Sequence, residues 1–264
     1  MILVTKTCRH FIVCSLLLCA IGLSFSSCVN TRKATYFNDL KDTTLRSQLV
    51  VPESVIQKND IISISVSSLN PEASAIYNTP NITPGPNGVQ LNGYLVNNDG
   101  NINYPVLGNI KAAGMSKEQL KNFIAKSFTD RKLLLDPIVS IRFQNFRVTV
   151  LGEVKNPAVI PVPNEKISLL EAIGLAGDLT IYAKRDNVLV IREEEGVKTI
   201  KRLNLNSTEL FSSPYYYLKT NDVVYVEPNK ARVASSSRSQ QWLPILFSAM
   251  TFATIIADRI IRNN

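Results

Sequence analysis

The chain has 264 residues, room for one large domain or two small ones, with 45% hydrophobic residues, 19% charged residues and a formal net charge of +8. Its single histidine, His10, and three of its four cysteines, Cys8, Cys14 and Cys19, all precede the fourth, Cys28. A chain cut before Cys28 therefore holds no intrachain disulfide, Cys/His zinc site or His general base, and any enzyme built on it relies on carboxylates, lysine or tyrosine. The basic excess is spread along the chain, with no basic run carrying interleaved aromatics, so nucleic acid is not implied.

The first residues have the order of a secretory signal: Lys6 and Arg9, the apolar run FIVCSLLLCAIGLSF, then small residues. The apolar run is short for a membrane span. Phe25-Ser26-Ser27-Cys28 resembles the lipobox of bacterial lipoproteins, in which cleavage precedes the cysteine and its thiol carries lipid. On that reading 1–27 is a lipoprotein signal peptide and Cys28 the lipid attachment site; the other reading is an uncleaved anchor helix. Cleavage removes Lys6 and Arg9 and no acid, lowering the net charge from +8 to +6.

Residues 28–49 read as a polar tether, with Tyr36 and Phe37 able to dock it. KNDIISISVSS (58–68) alternates Ile62, Ile64 and Val66 against serines, a half-buried strand led by an Asn59-Asp60 turn. The prolines and glycines of 78–93 predict a long loop. A hairpin is expected next, from Tyr94–Val96 through Asn98-Asp99-Gly100 to Ile102 and Tyr104. Ser116 and Gln119 then form a capping box for a helix whose buried face is Leu120, Phe123, Ile124 and Phe128, with Met115 stapling its start. Strands are expected over 138–143 and 146–151.

A second capping box, Ser168 and Glu171, starts another helix, stopped near Gly177. Strands follow over 187–192, 198–203 and 222–226, with Glu193–Gly196 as a hairpin turn. VLGNIK (106–111) echoes VLGEVK (150–155), and KNDIISI echoes TNDVVYV, a sign of two related small α+β modules.

Few residues suggest chemistry. Glu193, Glu194 and Glu195 sit in a turn and do not converge as a glycosidase pair must. Asp60 and Asp222 each precede a strand and suit turn backbone. Tyr215, Tyr216 and Tyr217 could stack on sugar rings or pack into the core. No phosphate loop, dinucleotide fingerprint or metal-ligand spacing is present, and no cofactor is expected.

From about Gln240 to Ala257 a helix of uncharged residues would extend roughly 27 Å, near the thickness of a bilayer core. Gln241, Ser248, Thr251, Asp258 and Arg262 fall within one sector of it, opposite Leu246, Met250, Ala253, Ile256 and Ala257. Such a weakly polar stripe suits either a ring of helices around a pore or a single anchor whose hydroxyls bond their own backbone.

VIQKNDIISISV, GYLVNNDGNINYPVLGNIKAAGMSKEQL and DPIVSIRF, followed by FRVTVLGEVKNPAVIPVPNEKISLLEAIGLAGDL, RDNVLVIRE and LKTNDVVYVEP, resemble the Wza-type outer-membrane polysaccharide export lipoproteins. The resemblance implies an α+β fold of two small β-rich modules, a polysaccharide-export module over 50–144 and a β-grasp-like SLBB module over 145–229. A linker at 230–239 and a C-terminal transmembrane helix at 240–264 would follow. Asn59-Asp60 and Asn221-Asp222 stand where the family usually has Gly-Asp, and Asp178 follows Gly177 where a second glycine is usual. The implied protein is no enzyme. It would be a homo-oligomeric ring, an octamer by resemblance, anchored in the outer membrane with its body in the periplasm. It would pass capsular polysaccharide or exopolysaccharide and work with an inner-membrane polysaccharide co-polymerase. The other reading is a monomeric glycan- or wall-binding lipoprotein.

Overall fold

The computed structural model describes residues 35–42, 44, 53–85, 88, 90–194, 196–235 and 238–263. The expected signal peptide and Cys28 lie outside the described residues. The first strand, β1 (Ile61–Ser67), buries Ile62, Ile64 and Val66 and exposes Ser65 and Ser67, as its alternation requires. Before it, Asn59 takes a φ of 68°, a left-handed conformation that asparagine tolerates better than most residues.

Helix α1 (Pro71–Ala75) follows, with the Asn70 side chain accepting the Glu72 and Ala73 N–H groups. The stretch expected as an unstructured loop contains a ribbon of β2 (Ile82–Pro84) and β3 (Gln90–Asn92). Pro84 is compatible with it because it closes β2 at its end.

The predicted hairpin is also corrected. β4 (Tyr94–Leu95) pairs with β1, whereas β5 (Asn101–Tyr104) pairs with β6 (Gly108–Lys111). The turn itself forms: the Asn97 Oδ1 accepts the N–H groups of Asp99 and Asn101 at 3.0 and 2.9 Å. It carries the chain from one sheet to another.

Helix α2 (Lys117–Asp130) has its capping box, with the Gln119 N–H donating to Ser116 Oγ and the Ser116 N–H to Gln119 Oε1. Leu120, Ile124 and Phe128 are fully buried, but Phe123 is 47% exposed. It lies about 100° from the centre of the buried arc, beyond the edge of the packed face. β7 (Ile138–Phe143) runs antiparallel to β1, giving a sheet in the order β4-β1-β7 that α2 covers.

The second half has β8 (Arg147–Gly152), β9 (Ala158–Pro161), β10 (Ile167–Ser168), helix α3 (Leu169–Leu175), β11 (Ala183–Glu194), β12 (Val197–Leu203), β13 (Tyr217–Leu218) and β14 (Val223–Pro228). Its main sheet has the order β12-β11-β14-β8-β9, antiparallel except where β14 lies parallel to β8. At that pairing Gly152 has a φ of +92°, and a Cβ there would run into the Val226 carbonyl oxygen. The second capping box forms as well, and Gly177 takes φ 81° just past the end of α3.

One core cluster runs through both halves, from Ile56 to Val226. Glu165 clasps them: its Oε1 accepts the Phe143 N–H at 2.8 Å and its Oε2 pairs with Lys117 of α2. The N-D echo holds structurally, since Asn59 and Asn221 have φ 68° and 64° and each leads a strand. The VLG echo does not, because its first copy is a turn entering β6 and its second is the end of β8.

The linker expected at 230–239 is partly helical, as α4 (Lys230–Ser235), and α5 (Arg238–Asn263) follows. The C-terminal membrane helix is corrected on one point: among the described residues, no helix is long and apolar enough to cross a membrane. Pro244 interrupts the apolar run near its start, hydroxyl residues at 248, 251 and 254 dilute it, and Asp258-Arg259 ends it.

Candidate functional site

The residues ahead of the body do dock, and they dock on the second half. The Phe37 and Asn38 N–H groups donate to the Leu205 and Asn206 carbonyls at 3.1 and 2.8 Å. Asp39 accepts the Thr208 N–H at 3.1 Å at the start of a 3-10 turn, Thr208–Ser212, and those bonds hold its carboxyl below the usual range. Tyr36 donates its hydroxyl to the Asp178 carboxylate, which also accepts the Leu179 N–H on the same oxygen at 2.6 Å. Burial first, and that carboxylate second, push the Tyr36 phenol well above its ordinary value.

A chain of ring contacts extends from this segment. Phe37 stacks on Phe211 at 5.0 Å, Phe211 meets Tyr216 edge-on at 5.6 Å, and Tyr216 meets Tyr217 at 5.1 Å. All of these rings are half-buried, so the tyrosine triplet lies neither wholly in the core nor wholly in solvent. Lys166 Nζ sits 5.0 Å from the Tyr217 ring. Between the docked segment and α3 lies an open groove of about 200 Å³, lined by Tyr36, Phe37, Leu170, Ile173, Gly174 and Asp178. The pattern around Tyr215–Tyr217 signalled an aromatic surface. Phe37 and Phe211, which extend it, lie far away in sequence, and only the fold assembles them.

The turn aspartates behave alike at the backbone: Asp60 accepts the Gln57 N–H at 2.7 Å and Asp222 the Lys219 N–H at 2.8 Å. They differ in charge compensation. Arg192 reaches Asp222 with Nε at 3.0 Å and Nη2 at 2.7 Å, both side chains being buried, and stacks 4.7 Å from the Tyr215 ring. Asp60 has no such cation; its Oδ1 has no hydrogen-bond partner among the described residues, and burial pushes its carboxyl up to about 6. Arg192 was legible in principle, since it falls in phase with Val188 and Val190 on the buried face of β11, where a cation demands an anion. Glu193 and Glu194 pair with Lys198 and Lys219 at 3.4 and 2.6 Å and do not converge; Glu195 lies outside the described residues.

Of the helix stripe, Ser248 and Thr251 are exposed on α5, their hydroxyls donating to the Ile245 and Phe247 carbonyls at 2.9 and 2.8 Å. Gln241, Asp258 and Arg262 fall on the same helix, but their side chains are outside what the structure describes. Trp242, Leu246, Phe247 and Phe252 are all exposed. Among the described residues no group of three or more His, Cys, Asp or Glu could hold a metal ion.

The family described as polysaccharide biosynthesis/export protein matches residues 49–144, and the SLBB domain matches 146–226. The tandem defines a class of chain in which an export domain leads directly into an SLBB domain. By that domain organisation the chain belongs to the Wza-type polysaccharide export proteins, the family it resembles in sequence. It is similar to the EPS I polysaccharide export outer membrane protein EpsA of Ralstonia solanacearum, 26% identical over 157 residues, which cover 58% of this chain and 40% of that protein. EpsA of Ralstonia nicotianae is 32% identical over 92 residues, 34% of this chain and 24% of that protein. The matches thus span less than half the length of these curated relatives.

Proposed function

We propose that the protein is the outer-membrane component of a polysaccharide export translocon, passing capsular polysaccharide or exopolysaccharide from periplasm to cell surface. The observation that carries this is the tandem of export and SLBB domains over 49–226, in a chain similar to two polymer-export outer membrane proteins. The protein makes and breaks no bond. Lipid on Cys28 fastens it to the outer membrane, and an inner-membrane co-polymerase delivers the polymer.

The working form is a ring of copies, an octamer by family resemblance. A lone α5 carries too little apolar length to serve by itself, and its large exposed side chains call for cover. In a ring, the helices lie side by side with Gln241, Ser248, Thr251, Asp258 and Arg262 toward the conduit and the apolar side outward. The test is a strain lacking the protein, examined for surface polysaccharide, together with light scattering of the purified full chain in mild detergent. Loss of surface polymer and a mass well above a dimer are expected. Normal surface polymer, or a strict monomer, overturns the reading. The reading as a monomeric glycan-binding lipoprotein draws support from the back-bonded hydroxyls of Ser248 and Thr251, and the monomer result would favour it.

A further inference from the structure

The groove beside α3 has a composition that packing leaves unexplained. Gly174 lies in the last turn of the helix, a position that most residue types could fill. A Cβ at Gly174 would meet nothing within 4 Å, so no neighbour requires its absence. What a larger residue would occupy is the groove itself.

The other walls have a definite chemistry. Half-buried Leu170 gives an aliphatic floor above the fully buried Ile173, and the rings of Tyr36 and Phe37, 5.9 Å apart and inclined by 35°, give aromatic surface, with Arg185 packed 5.7 Å from the Tyr36 ring and Phe211 stacked on Phe37. Asp178 is exposed; its Oδ1 is taken by the Tyr36 hydroxyl and the Leu179 N–H, and its Oδ2 accepts no hydrogen bond among the described residues. Asp178 holds a φ of 72°, a left-handed conformation that Asp tolerates, at the helix stop where its N–H donates to the Ile173 carbonyl. Aromatic carbon beside a free carboxylate oxygen matches a pyranose, which offers a C–H face to a ring and hydroxyl donors at its rim. A volume of about 200 Å³ lies below the roughly 300 Å³ at which drug-sized pockets begin, so it takes one ring rather than an oligomer.

We propose that this groove is a subsite for a single neutral pyranose ring of the transported polymer, lying against Tyr36 and Phe37 with a hydroxyl donated to Asp178. The proposal rests on the export reading above and gives that reading a contact point on the second half of the body.

The test uses full-length protein in mild detergent and ligand-observed saturation-transfer NMR. The probes are methyl glycosides of glucose, galactose and mannose. Saturation of the ring protons of at least one neutral glycoside is expected. Gly174→Leu, which fills the groove with a good helix former, should weaken binding about tenfold without lowering the melting temperature. Tyr36→Ala should weaken it similarly. Undiminished saturation in Gly174→Leu, or no saturation by any neutral glycoside in the unsubstituted protein, overturns the proposal. So does a change of oligomeric mass in Gly174→Leu without any glycoside signal, which makes the groove a contact between copies. A deletion strain that loses surface polymer while the purified protein binds no glycoside refutes the groove alone; a deletion strain that keeps its polymer refutes the export reading.

Discussion

Asp60 and Asp222 show how one turn motif can carry opposite electrostatic consequences. Asp222 is buried against a two-point contact from Arg192, so removing one member leaves the other charge stranded. Arg192→Ala is expected to cost about 3–5 kcal/mol in urea unfolding, far more than loss of an exposed pair. Asp60 has no paired cation among the described residues, and burial pushes its folded carboxyl up to about 6, above its unfolded value. The folded state therefore holds the proton more tightly, and stability falls as pH rises from about 4 to about 6, then levels. The loss across that window is on the order of 2–3 kcal/mol. Asp60→Asn, which can still accept the Gln57 N–H, should abolish the pH slope and unfold at higher urea than the unsubstituted protein at pH 8. A slope that survives the substitution would locate the titration elsewhere.

At the scale of elements, the joint between β8 and β14 is the most demanding. Gly152→Ala should cost more than about 2 kcal/mol, measured by thermal unfolding, because the strands must separate to admit a methyl group. What could be read from sequence follows a rule of distance. Both capping boxes, the strands led by Asn59 and Asn221, and the buried faces of β1 and, Phe123 apart, of α2 depend on residues a few positions apart, and these were legible. The partners of β4 and β5 were not, since alternation marks a strand without saying which neighbour it bonds. The ribbon of β2 and β3 was hidden by prolines and glycines that lie at its margins. The groove was illegible for the same reason: Tyr36, Gly174 and Asp178 become neighbours only when the segment before the body crosses to α3.

For the whole molecule, the buried core among the described residues draws nothing from α5. Every described hydrophobic side chain of the core lies between Ile56 and Val226, and none belongs to α4 or α5. Truncation after Pro228 should leave the melting temperature of the body within a few degrees of the full chain, while the mass in light scattering drops and surface polymer is lost. Export that persists in the truncated strain would remove α5 from the conduit.

The docked segment also settles how the body bears tension. The chain enters the second half at Phe37 through backbone bonds to Leu205 and leaves it from β14 through α4, where Arg232 pairs with Glu153 at 3.1 Å and lies over the Tyr182 ring. A pull applied between Tyr36 and Lys230 is therefore transmitted within the second half alone. The first half, held on by Glu165 and by the shared core, lies beside that line of force.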